Sequence, residues 1–258
     1  MATFTKTEAE AIIKRLGGRV DLTAIETNML EEARRILSSS ERIITYLAIV
    51  LDESGSMGSM RKQAIDSFNE QVQAIKTNTE GNMESYVSLV KFSDNAREVF
   101  RHEDALHCRE IGESDYIPSG LTAEYDGIGL AIEILKASAK PSDANIAYAV
   151  CVISDGYENA SKKYTQSQIS SQIKDLEAQG NWTFTFMGAN VDLHQISKDL
   201  GIKVGNMINY AATPDGYAAA GGQTVCASMN FMKARSVGET QTFDFYDGKD
   251  DDDNEKDE

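Results

Sequence analysis

Cysteine is scarce in this chain: its 258 residues hold three, Cys108, Cys151 and Cys226. An odd number with no short paired spacing gives no disulfide framework and favours a reducing compartment. Cys151 lies inside an apolar run and is expected to be a buried free thiol. Long apolar runs are lacking too. None approaches the roughly 18 residues of a membrane-crossing helix. The stretch from Met1 to Gly18 lacks the apolar centre of a secretory signal. These absences point to a cytoplasmic protein, with a virion or similar particle as the alternative location. Positive charge is in deficit, with 25 Lys and Arg against 41 Asp and Glu, a net −16. Such a chain is repelled by nucleic acid and by anionic membrane surfaces, and it suits cations and basic partners.

Common catalytic signatures are missing as well. No G-x-x-x-x-G-K phosphate loop occurs. Gly127 and Gly129 make only a G-x-G inside a helical pattern, too short for a dinucleotide fingerprint. Ser54-Gly55-Ser56 lacks the flanking glycines of an esterase elbow. His102 and His107 bracket a segment that nearly spells a zinc-protease helix. They are five residues apart instead of four, about 140° round a helix. Loop histidines are the simpler reading.

What is present is an alternation of strands and helices. Ile43 to Leu51 and Ile146 to Ile153 are apolar runs of the kind buried on both faces of a sheet. Shorter strands are expected over Tyr86–Phe92, Ala96–Phe100, Trp182–Met187 and Met207–Tyr210. The second and third of the six form a hairpin across Ser93-Asp94-Asn95. Helices are expected over 59–77, 123–138, 165–179, 192–200 and 213–235, the last with Gly221-Gly222 as a weak point. The pattern predicts an α/β fold: a doubly wound, mostly parallel sheet with one antiparallel edge strand and helices on both faces.

Three parts are expected. Residues 1–42 form an N-terminal helical extension. There Thr5 and Glu8 have capping-box spacing, and Leu22, Ile25, Met29, Ala33, Ile36 and Leu37 make one stripe. That extension is a collar on the main domain or a partner-docking arm. Residues 43–236 form the α/β domain. Residues 237–258 form an acidic, disordered tail, since 244–258 alone carry −7 of the net charge.

In an open α/β sheet, ligands bind beyond the carboxyl ends of the strands. Three loops meet that condition or lead into a helix, and each is rich in oxygen donors. They are Asp52-Glu53-Ser54-Gly55-Ser56 after the first strand, Ser119-Gly120-Leu121-Thr122 before a helix, and Ser154-Asp155-Gly156 after the fourth strand. No histidine or thiol lies in them. Hydroxyls with few carboxylates suit a hard cation, Mg2+ or Mn2+ over Zn2+ or Cu2+. They also leave the ion under-neutralised and receptive to a further carboxylate. Asp126, one helical turn past Thr122, and Asn159 and Glu158, after the Asp155 turn, are candidate supports of the site. A helix-capping role for them is equally open.

Asp52-x-Ser54-x-Ser56 after a buried strand, Thr122 in Ser-Gly-Leu-Thr-Ala, and Asp155 in Ile-Ser-Asp-Gly together resemble the metal-ion-dependent adhesion site of von Willebrand factor A domains. The resemblance covers roughly residues 43–210, and no motif position is substituted. It implies a Rossmann-like sheet with one metal at its top, Mg2+ with Mn2+ or Ca2+ as alternatives. Ser54 and Ser56 would bind the ion directly, Thr122 directly once a ligand is engaged, and Asp52 and Asp155 largely through water. The metal would hold an Asp or Glu of a partner protein. Phe186-Met187-Gly188-Ala189-Asn190-Val191-Asp192 is similar to a segment of compact intracellular bacterial and phage members. Bacterial members of that kind work beside AAA+ ATPases. The resemblance implies a binding module and not an enzyme. A particle component and a Mg2+-dependent hydrolase are the alternatives. Glu53, a free position in the motif, is the hydrolase's one candidate base, and its place beside Asp52 points it elsewhere.

Overall fold

The computed structural model describes residues 6–38, 42–142 and 144–246. Two helices come first, α1 (Lys6–Leu16) and α2 (Ala24–Ser38). They pack on each other through Ala9, Ile12, Leu16, Leu30 and Ala33, a cluster separate from the two clusters of the sheet. α2 starts at a capping box one turn long: Thr23 N donates to Glu26 Oε2 at 3.0 Å, and Glu26 N donates to Thr23 Oγ1 at 3.3 Å. Leu22, Met29 and Ala33 of the expected stripe pack in this cluster, joined by Leu30. Leu30 and Ala33 face α1, whereas Ile25 is exposed. The proposed Thr5 cap and the side chains of Ile36 and Leu37 lie outside the described residues.

The sheet has six strands: β1 (Arg42–Asp52), β2 (Met83–Phe92), β3 (Ala96–Asp104), β4 (Ala144–Ser154), β5 (Trp182–Ala189) and β6 (Met207–Tyr210). Their spatial order is β3-β2-β1-β4-β5-β6. All neighbours are parallel except β2 and β3, so the antiparallel strand lies at an edge. β1 explains why its sequence is apolar throughout. Leu47, Ile49 and Leu51 enter one core with α3 (Arg61–Thr77) and α7 (Pro214–Ser236). Tyr46, Ala48 and Val50 enter the other, with α4 (Glu124–Lys136) and α5 (Gln166–Glu177). Successive side chains point to opposite faces, and both faces are covered. Cys151 is buried in β4, and all three cysteines are free.

Strand order reverses between β1 and β4, whose ends lie side by side, with Leu51 opposite Ile153. This reversal opens the crevice where such folds bind ligands. The expected weak point in α7 is not a break. The helix runs unbroken past Gly221, where a Cβ would lie 2.6 Å from Ser67 Oγ, so the glycine lets α7 close on α3. Residues 237–246 are not a free tail. Phe245 is buried against Phe231, its N–H bonds Asn206 Oδ1 at 2.9 Å, and Gln241 reaches the carbonyl of Trp182. Among the described residues no helix is long and apolar enough to cross a membrane.

Candidate metal centre

The end of β1 organises the site. Asp52 is buried, and its Oδ1 accepts the Ser54 N–H at 2.7 Å. Its Oδ2 accepts Ser154 Oγ at 2.8 Å and the Asp155 N–H at 3.4 Å. One carboxylate therefore ties the β1 loop to the β4 loop. The Ser54 and Ser56 hydroxyls lie 3.0 Å apart, and Ser56 Oγ donates to Asp155 Oδ1 at 2.6 Å. Neighbouring oxygens on an octahedral ion with bonds of about 2.1 Å are roughly 3 Å apart. The spacing of these hydroxyls thus fits two adjacent positions on a small hard cation.

Thr122 reaches the same place by another route. Its N–H donates to Asn159 Oδ1 at 2.9 Å, and its carbonyl accepts the Asn159 N–H at 3.0 Å. A Cβ on Gly156 would lie 3.5 Å from Thr122 Oγ1, so this hydroxyl abuts the Asp155 turn. The 119–122 loop docks on the 52–56 loop, where Gly55 N donates to Gly120 O at 3.2 Å, and on the β2–β3 turn, where Leu121 N donates to Asp94 Oδ1 at 2.9 Å. Gly120 has φ +78, and a Cβ there would strike the Asp94 carboxylate. Asp52, Ser54, Ser56 and Asp155 are joined by direct hydrogen bonds, and Thr122 is brought beside them through Asn159 and Gly156. Asn159 accordingly orients Thr122. Asp126 faces away: its oxygens accept the N–H groups of Lys162, Lys163 and Tyr164, each at 2.9 Å. Glu158 likewise caps Tyr125 N at 3.0 Å and Ala160 N at 2.8 Å.

Burial pushes the carboxyls of Asp52 and Asp155 upward, against the lowering effect of their serine hydrogen bonds. A cation held here competes with protons for both. Among the described residues no three His, Cys, Asp or Glu cluster as a metal site. The set is instead two carboxylates with three hydroxyls, which suits oxygen-seeking ions.

Several further residues support the loops from behind. Glu53 is buried, and its Oε1 accepts Lys91 Nζ at 2.7 Å and Ile117 N at 2.8 Å, while Oε2 accepts Arg97 at 2.6 Å. With Ser119 N on its carbonyl at 2.8 Å, Glu53 moors the 115–119 segment to β1. Tyr116 and Tyr210 donate their hydroxyls to the carbonyls of Asp52 and Ser154. Glu124 is buried beside Asp52, Glu158 and Ser154, and burial pushes its carboxyl up to about 8. Its signal was legible: it is an acid in the buried stripe that continues as Ile128, Ile132 and Leu135.

A model of the von Willebrand factor type A domain matches residues 47–213. No curated protein matches the chain. Among solved structures, the vWF domain of the type V pili tip protein Mfa5 from Porphyromonas gingivalis aligns with TM-score 0.52 and 13% identity. That alignment covers 78% of this chain and 98% of that one. A von Willebrand factor type A protein from Catenulispora acidiphila gives TM-score 0.47 and 15% identity over 73% of this chain, and this chain spans 43% of that one. The manganese-loaded TRAP protein of Plasmodium vivax gives TM-score 0.45 and 14% identity, covering 69% and 72% of the two chains.

Proposed function

Because this chain belongs to the von Willebrand factor type A domain family, we propose that it is a divalent-metal-dependent protein-binding module whose ion, Mg2+ or its substitutes Mn2+ and Ca2+, takes a carboxylate from a partner. The observation that carries this reading is the convergence of Ser54, Ser56 and Asp155 on Asp52 at the sheet's switch point. When bound, the cation supplies an electrophilic position open to an Asp or Glu from outside. The chain's own residues do the rest. Asp52 holds the Ser54 amide and the β4 loop in place. Ser56, exposed at the rim, and the partly buried Asp155 face the incoming group. Asn159 fixes the backbone of Thr122 so that its hydroxyl meets the Asp155 turn.

The hydrolytic alternative loses its candidate base. Glu53 has both carboxylate oxygens engaged by Lys91, Arg97 and Ile117, and it supports the loops from behind.

A pull-down from the native source, with Mg2+ or with EDTA, tests the module. Partner recovery should vanish with EDTA and with Asp52→Ala. Thr122→Ala should weaken recovery strongly while lowering metal affinity only modestly. The protein recovered then separates an AAA+ ATPase from a particle component. Undiminished recovery with EDTA and in both variants would overturn the proposal.

A further inference from the structure

The loops around the candidate metal centre expose three large apolar side chains. Ile117 is 60% exposed, Leu121 54% and Tyr157 71%. Each is tied to the centre through its own backbone or a neighbour's. Ile117 N bonds Glu53, which lies between Asp52 and Ser54. Leu121 lies between Gly120, whose carbonyl accepts the Gly55 N–H, and Thr122. Tyr157 follows Gly156, which abuts the Thr122 hydroxyl. Leu and Ile side chains held this far into water cost solvation and gain nothing within the chain. Grouped with a polar centre, they mark an interaction surface.

The surroundings select the charge of what docks. Beyond Tyr157 lies a cavity of about 100 Å³ whose lining includes the acids Glu158, Asp192 and Asp199, with no Lys or Arg. The chain outside residues 244–258 carries the remaining −9 of the net charge. A partner surface of like sign would be repelled before its carboxylate could arrive, so the approaching segment has to be basic around its acid.

We propose that the face formed by Ile117, Leu121 and Tyr157 docks a partner-protein segment in which the metal-binding Asp or Glu is flanked by an apolar side chain and followed or preceded by a Lys or Arg. This rests on the metal-bridge reading and adds the partner's chemistry to it. The carboxylate meets the ion, the apolar neighbour covers Leu121 and Ile117, and the base lies over the anionic surface past Tyr157.

Random dodecapeptides displayed on phage, panned on the full chain in Mn2+ and released with EDTA, supply the probe. Selected peptides should carry an acid beside an apolar residue, with a Lys or Arg in the same segment. Ile117→Ser/Leu121→Ser/Tyr157→Ser should keep wild-type melting and Mn2+ affinity. It should bind those peptides about tenfold or more weakly, the loss of roughly one good contact. Equal binding by that variant, or selected acids without apolar and basic neighbours, would overturn the docking surface and leave the metal bridge standing. Selected peptides that lack acids would overturn the metal bridge itself, and so would a panning that yields none.

Discussion

Ser56 Oγ lies 2.6 Å from Asp155 Oδ1, although 99 residues separate the two in the chain. The contact is made because β1 and β4 are neighbours and both loops leave the same end of the sheet. It sets a hydroxyl on a carboxylate that burial already disfavours in its charged form. Asp155→Asn should therefore leave the metal-free protein as stable as wild type or more so, because a neutral isostere carries no desolvated charge. The same change should remove the stabilisation conferred by the ion. Wild type should gain about 2.7 kcal/mol at a hundred times the dissociation constant of Mn2+. Thermal unfolding of both proteins, with Mn2+ and with EDTA, checks this. A Mn2+ response in Asp155→Asn equal to that of wild type would remove Asp155 from the site.

The support behind the loops should be energetically lopsided. Lys91 is 0% exposed and Arg97 is half-exposed, yet both bond Glu53. Lys91→Met leaves a buried carboxylate without its buried partner and should cost about 3–5 kcal/mol. Arg97→Ala loses a solvent-screened contact and should cost about 1 kcal/mol or less. Adding Glu53→Gln to Lys91→Met should restore part of the loss. Urea unfolding of the four proteins gives the comparison, and equal costs for Lys91→Met and Arg97→Ala would contradict it.

That support also shows where reading the sequence stops. The alternation inside β1, the six strands and the loops that follow them are local patterns, and the oxygen-rich residues sit where strands end. The Lys91–Glu53 pair spans 38 residues and leaves no periodic trace, so Glu53 reads as a free motif position. Ile25 fits the stripe of α2 by spacing alone. Which face is covered depends on α1, and Leu30 takes that place. Residues 237–246 sit next to a charge run, and the run masks the aromatic pair Phe245 and Tyr246, which packs into the core. For Asp126 and Glu158, spacing leaves site support and helix capping equally open, and their carboxylates accept backbone N–H groups.

The two adjacent glycines of α7 should respond oppositely to the same change. A Cβ on Gly221 would lie 2.6 Å from Ser67 Oγ and 3.1 Å from Ser67 Cβ, whereas one on Gly222 meets nothing within 4 Å. Gly222→Ala should stabilise by about 0.5–1 kcal/mol through helix propensity. Gly221→Ala should destabilise by about 1–3 kcal/mol, because α7 has to move off α3. Ser67→Ala in that background should recover part of the loss. Melting temperatures of the three variants decide it, and a stabilising Gly221→Ala would mean that the two helices are not in close contact there.

Glu177 should make the protein less stable as pH rises. It is the last residue of α5, it is buried, and its Oε1 has no hydrogen-bond partner. Burial pushes its carboxyl up to about 7, with only the charge of Lys203 pulling the other way. The folded chain thus holds this proton through a range in which the unfolded chain has released it. Stability falls with pH wherever the native state binds more protons. The loss therefore begins in the ordinary carboxylate range and is complete once pH passes about 7. Below that range both states are protonated and the residue contributes no pH dependence. Glu177→Gln removes the titration while keeping the shape of the side chain. Its melting temperature should match wild type near about pH 4 and exceed it by a few degrees near about pH 8. An offset of the same size at both pH values would show that the gain comes from packing or helix propensity, and the proton would have no part in it.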